Sequence, residues 1–166
     1  MKLRTLPVVL AALVSARGAF AQIHWDLGVQ AGLMQRGLTE GVRSLGPAFE
    51  VHGHVALIPL VRVGAYGAYD FGPVGAGTTH LASFGARGKV TFPWRPTRLW
   101  VFAGVGQAVV FGAHTGHFLE VPVGLGLGVP LRSRWQLYGE LGGRFGFVDG
   151  DDRLALCASL GIQFDR

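Results

Sequence analysis

Trp25-Asp26-Leu27-Gly28-Val29-Gln30-Ala31-Gly32-Leu33 alternates without a break: odd positions are apolar, and even ones hold glycine, a carboxylate or an amide. A side-chain period of two belongs to a β-strand, because successive Cβ atoms point to opposite faces of the pleat. The pattern returns at Leu119, Val121, Val123, Leu125 and Leu127 against Glu120, Gly124, Gly126 and Gly128. It returns again at Leu154, Leu156, Ala158, Leu160, Ile162 and Phe164.

Extending this reading in both directions gives eight strands, at 24–34, 47–58, 60–71, 79–92, 98–112, 116–129, 134–147 and 153–165. Pro59, the segment Pro93 to Thr97 and the segment Pro130 to Arg134 supply three tight connections. These alternate with Gln35–Ser44, Asp70–Thr79, Gly112–Gly116 and Val148–Arg153, which are mostly longer and richer in glycine and polar residues. Short turns at one end and longer loops at the other are the asymmetry of outer-membrane barrels, and an even strand count puts both termini at the short-turn, periplasmic end. Seven strands have a clear apolar face. The fifth is apolar on both, with Leu99, Val101, Val105 and Val109 opposing Trp100, Phe102, Gly104 and Gly106. The glycine-bearing face is placed inward. Pro122 interrupts the sixth strand and predicts a bulge there.

The first 21 residues read as a cleaved signal peptide. Lys2 and Arg4 precede the apolar run Leu6–Val14, which is too short for a membrane-spanning helix, and Ala19 and Ala21 supply the small residues of a cleavage site. Cleavage before Gln22 leaves residues 22–166 as one barrel domain. The formal charge falls from +5 to +2 on cleavage, which gives no argument for nucleic acid. Cys157 is the single cysteine, so no internal disulfide framework exists.

A soluble barrel or sandwich would also alternate. Its polar face, however, would be rich in Lys, Glu, Thr and Ser. Here that face is mainly glycine with a few charges of both signs, which suits the narrow bore of an eight-stranded barrel. Aromatic residues near the strand ends fit two interfacial girdles: Trp25, Trp94, Trp100 and Trp135 at the periplasmic ends, and Tyr69, Phe71, Phe111 and Phe147 at the outer ends. The expected fold is an all-β, eight-stranded antiparallel transmembrane β-barrel.

With these features the chain resembles the small outer-membrane β-barrel proteins of the OmpA/OmpX type, over essentially all of residues 22–166. The resemblance implies an outer-membrane location, contact with outer-membrane lipids and lipopolysaccharide, and folding by the barrel-assembly machinery. It also implies that the last strand, Leu160, Ile162 and Phe164, carries the assembly signal. Here Asp165 and Arg166 follow the terminal aromatic and offset that signal. A monomer is expected.

Chemical motifs are few. Gly124, Gly126 and Gly128 superficially match a dinucleotide loop, but no helix follows them. His114 and His117 with Glu120, and separately His52 with His54, have spacings compatible with metal ligation; plain polar loop residues and hydrogen-bonded lumen histidines are the favoured readings. Lipid A hydrolases and transferases on such barrels need Ser, His and an acid together at the outer rim. The candidates are Ser83, His80 and Asp70, and strand parity puts Ser83 and His80 on opposite faces. The acidic run Asp149, Asp151 and Asp152 reads as a solvated turn. No catalytic, cofactor-binding or metal-binding residue is assigned.

The remaining charges form the candidate site. Glu50, Glu120 and Glu140 with Arg62, Arg87, Lys89 and Arg144 all fall on inward positions. They are expected to pair across the bore and shut it, with Glu120 as the partner of Arg144. The function this supports is a structural or surface-interaction barrel; a narrow pore or a lipid A-modifying enzyme stay open as alternatives.

Overall fold

The computed structural model describes residues 24–37, 43–74, 77–112, 115–148 and 151–166. The expected signal peptide lies outside them. Eight strands follow in order: β1 (Trp25–Gly37), β2 (Arg43–Ile58), β3 (Val61–Val74), β4 (Gly77–Trp94), β5 (Thr97–Phe111), β6 (Gly116–Arg132), β7 (Trp135–Val148) and β8 (Asp151–Asp165). Each pairs antiparallel with its sequence neighbour, and β8 returns to β1 to close the barrel. Closure leaves no edge, so every backbone donor and acceptor in the wall has a ladder to join. A sheet in hydrocarbon must meet this condition.

The strands are 13 to 18 residues long, whereas a tilted strand needs only about 9–11 to cross a bilayer. They run past the expected boundaries mostly at the loop end. There Pro73 and Val74 still pair with Thr78 and Gly77, which narrows the length difference between the two ends. The turn end matches the expected short connections, with two-residue breaks at 59–60, 95–96 and 133–134.

The wall is inverted relative to a water-soluble protein. Leu141 is 59% exposed and Leu160 70% exposed on the outside. The buried interior holds Asp26, Gln30, Glu50, Arg87, Lys89, Glu120, Glu140 and Arg144. Apolar side chains facing out and polar ones facing in are what a bilayer solvent selects. Among the described residues, the apolar cluster of buried side chains inside is small: Leu81, Ala108 and Phe118, with Val110 against them, toward the loop end of the bore.

Two local expectations are corrected. Pro122 causes no bulge: Ala103 pairs with Val123 and Gly106 with Glu120 in one unbroken register, and Pro122 itself pairs with Arg144 on β7. The register shifts instead between Ala56 and Ile58 and between Pro130 and Arg132, beside the turns. Trp100 does not join the girdle. It points into the bore and is 2% exposed. Directly across on β6 is Gly126, where even a Cβ would collide with the indole. His52 opposite Gly28 and Tyr138 opposite Gly161 repeat the arrangement. These three inner-face glycines are therefore seats for large rings, which help to fill the narrow bore.

Candidate functional site

The centre of the bore is crossed by a chain of five charged side chains in the order Glu140, Arg87, Glu50, Arg144, Glu120. Arg87 Nη1 donates to Glu50 Oε1 at 2.5 Å and Nη2 donates to Glu140 Oε1. Arg144 Nη2 donates to Glu50 Oε2 at 2.7 Å and Nη1 to Glu120 Oε1 at 3.2 Å. Each guanidinium thus spans two carboxylates, using the fork geometry that suits it to the task. β2, β4 and β7 are not neighbours in the sheet, so the bonds of Arg87 to Glu50 and Glu140 and of Arg144 to Glu50 cross the lumen, while Arg144–Glu120 joins the adjacent strands β7 and β6.

Further partners complete each carboxylate. Glu120 also accepts from Tyr66 Oη and Ser83 Oγ, both at 3.1 Å. Glu140 also accepts from Trp100 Nε1 at 2.8 Å and Gln30 Nε2 at 3.1 Å. His52 Nδ1 lies 3.2 Å from Glu50 Oε1. Rings close the gaps between the charges: the Arg87 guanidinium sits 3.8 Å from the centroid of Phe102. Carboxylates this buried are tolerable because Glu120 and Glu140 each have three donors and Glu50 has two guanidinium donors with His52 beside it; any one left alone would carry most of its desolvation cost.

Arg62 and Lys89 belong to a second cluster nearer the turn end. Arg62 Nη1 donates to Asp26 Oδ2 at 2.5 Å and to Asp165 Oδ1 at 3.0 Å. Lys89 Nζ lies 3.1 Å from Asp26 Oδ2, and Arg98, exposed at the mouth, pairs with Asp165. Toward the loop end, Arg36 pairs with Asp70. Asp26, Asp165 and Arg36 were missed as site residues, and Asp70 was considered only as the acid of the catalytic trio. Parity was the available signal for Asp26, which shares its strand face with Gly28 and Gln30.

The other candidates resolve by face. Asp26, His52 and His54 form a buried group whose ligand-type atoms lie within 4.8 Å of one another. Asp26 is already engaged by Arg62, Lys89 and His54 Nδ1, the last at 2.7 Å. A dication there would sit against two cations, so the group reads as a hydrogen-bonded Asp26–His54 pair with the His52 ring packed beside it, its centroid 5.1 Å from that of His54. Ser83 is inside with Glu120, Asp70 is inside with Arg36, and His80 is outside, with Nδ1 2.6 Å from the Tyr69 hydroxyl. The barrel wall therefore separates His80 from the other two. His117 is exposed while Glu120 is buried. His114 lies outside the described residues, as do Asp149 and the side chains of Asp151 and Asp152. Gly124, Gly126 and Gly128 are inward strand positions in β6.

No family model and no curated protein sequence matches the chain. Solved structures do. The neisserial surface protein NspA aligns over 84% of this chain and 96% of its own, with a TM-score of 0.68 and 15% identity. The fold is that of the small outer-membrane β-barrels of the OmpA/OmpX type. Ail, the attachment invasion locus protein of Yersinia pestis, covers 87% of this chain and 99% of its own at TM-score 0.57 and 12% identity. The outer-membrane enzyme PagL covers 84% and 98% at TM-score 0.55 and 14% identity. The likeness supports a bacterial outer-membrane location. A surface protein and an enzyme on the same barrel show that this fold does not choose the activity.

Proposed function

We propose that the chain is a bacterial outer-membrane barrel with a structural or surface-interaction role, exported by the signal peptide at residues 1–21, with both termini in the periplasm and its lumen shut to ions. The observation that carries this is the Glu140–Arg87–Glu50–Arg144–Glu120 chain across the bore. Mobile ions would have to displace charges that already satisfy one another, in a space further narrowed by Trp100, Phe102 and Tyr138. The enzyme alternative loses its expected trio, because Ser83 and His80 stand on opposite sides of the wall.

Leu160, Ile162 and Phe164 are read as the assembly signal. Phe164 packs between Trp25 and Trp135, with ring centroids 5.5 and 5.2 Å away, at the seam that closes the barrel. Its working partners are the lipids around it, lipopolysaccharide and, during biogenesis, the barrel-assembly machinery.

Single-channel recording of the refolded protein, run beside a lipid A deacylation assay, tests the reading. A silent channel and no deacylation are expected. Steady open-channel current would make it a pore, and release of an acyl chain would make it an enzyme.

A further inference from the structure

The charges of residues 22–166 are sorted along the barrel axis. The middle of the bore sets Glu50, Glu120 and Glu140 against Arg87 and Arg144, while Lys89 belongs with Asp26 nearer the turn end. The turn end carries six arginines, Arg62, Arg95, Arg98, Arg132, Arg134 and Arg166, against only Asp26 and Asp165. By sequence position the loop end has the opposite bias, with five acids and three arginines. The ion pairs found at the turn end occupy both aspartates with Arg62, Lys89 and Arg98. Arg95, Arg132, Arg134 and Arg166 are exposed, and among the described residues none has a carboxylate partner.

Each of these arginines stands beside a tryptophan. Trp94 and Arg95 share the β4–β5 turn, and Arg132 and Arg134 precede Trp135 at the β6–β7 turn. Trp25 and Arg166 are joined by two backbone hydrogen bonds of 2.9 Å. The indoles of Trp94 and Trp135 are 68% and 47% exposed on the outside of the wall. An indole settles at the boundary between acyl chains and headgroups. A guanidinium one residue further out then lies at the level of the phosphates, which it binds through two parallel N–H donors.

We propose that this rim is a docking surface for the phosphate groups of anionic phospholipids in the leaflet that the turn end faces. This deepens the outer-membrane reading above, and its assignment to the periplasmic leaflet rests on the termini being periplasmic. Charge alone would serve a soluble polyanion equally well. The tryptophan beside each arginine favours a lipid, since an exposed indole gains nothing from a soluble acid but is buried by a lipid whose headgroup is already held.

The test uses the protein purified from membranes and reconstituted into nanodiscs of mixed phosphatidylcholine and phosphatidylglycerol, with retained lipids counted by native mass spectrometry. One arginine near an anionic surface is worth about a fivefold preference. The wild type should therefore retain phosphatidylglycerol at least about tenfold above its share of the bulk lipid, and less at high salt. Arg95→Gln/Arg132→Gln/Arg134→Gln, which leaves Arg166, should cut the enrichment to about fivefold or less while keeping the heat-dependent gel shift of a folded barrel, and Arg153→Gln at the opposite end should leave the wild-type enrichment unchanged. Equal retention of the two lipids by the wild type, or unchanged enrichment in the triple variant, overturns the proposal, as does capture of soluble heparin without phospholipid preference. Both faces of a nanodisc carry the same lipids, so this outcome does not depend on orientation. Impermeant labelling of Ser133→Cys in a Cys157→Ser background on intact cells tests the orientation separately. No labelling is expected, and labelling from outside overturns the leaflet assignment alone.

Discussion

Arg144 is bonded to two carboxylates from different strands, and its deletion strands both. Glu120 would keep Tyr66 and Ser83, and Glu50 would keep Arg87, so the charges left behind are under-compensated rather than bare. Arg144→Ala should therefore cost roughly 3–5 kcal/mol at most, and urea unfolding of the refolded barrel measures it. A double-mutant cycle with Glu120→Ala should give a coupling of about 0.5–3 kcal/mol, because the two groups share a direct bond; zero coupling would show that the 3.2 Å contact carries no energy. Gly126 makes a different kind of demand. A valine there must enter the space held by the Trp100 indole, and the indole cannot leave without giving up its bond to Glu140. Overpacking of this kind costs about 1–3 kcal/mol, more where a buried acceptor is also orphaned. Gly67→Ala, whose added Cβ meets nothing within 4 Å, should leave the unfolding midpoint unchanged, and the contrast separates ring seating from any general intolerance of strand glycines.

Within one strand, β6 shows both what period two reveals and where it stops. Leu119, Leu125 and Leu127 are exposed and Glu120, Gly126 and Gly128 buried, as the alternation alone demanded. Leu125 sits midway along β6 and faces acyl chains, so Leu125→Arg should destabilise the folded barrel by about 2–4 kcal/mol in lipid; unchanged stability in that titration would mean that the face is inverted or the strand does not span. Eight strands, their order and their inward faces were legible because each is a property of a single strand or of the turn after it. The fate of Trp100 was not, because β5 is apolar on both faces and the deciding residue, Gly126, lies across the ladder. Nor was the lack of a bulge at Pro122, where β5 and β6 keep their register on either side of the missing donor. The charged residues of the bore could be named, but which cation meets which acid depends on the stagger of the closed barrel. That stagger brings Arg62 to Asp26 and Asp165, while Arg87 and Arg144 meet at Glu50.

At the scale of the whole molecule the fold is a wall with no edge around two layers of networked charge, one at mid-bore and one at the turn end, with the lone Arg36–Asp70 pair toward the loop end. A closed hydrogen-bonded wall opens only as a unit, so unboiled and boiled samples should migrate differently on gels and the protein should fractionate with outer-membrane markers; a soluble periplasmic protein with no heat-dependent shift would contradict the barrel. The two layers lie in series, which makes their contributions separable. Removing Arg62 and Asp165 together deletes a matched pair at the mouth and leaves the Glu140–Arg87–Glu50–Arg144–Glu120 chain in place, so that double variant should stay electrically silent in a planar bilayer. Removing Arg87 and Glu50 together is also charge-neutral, but it takes out the residues that link Glu140 to Arg144 and empties the space beside Phe102. Discrete conductance steps are expected for that variant, provided its gel shift shows a folded barrel. If the mouth variant conducts as well as the mid-bore one, the lumen is held shut at the turn end, and the central charges serve the stability of the barrel rather than its closure.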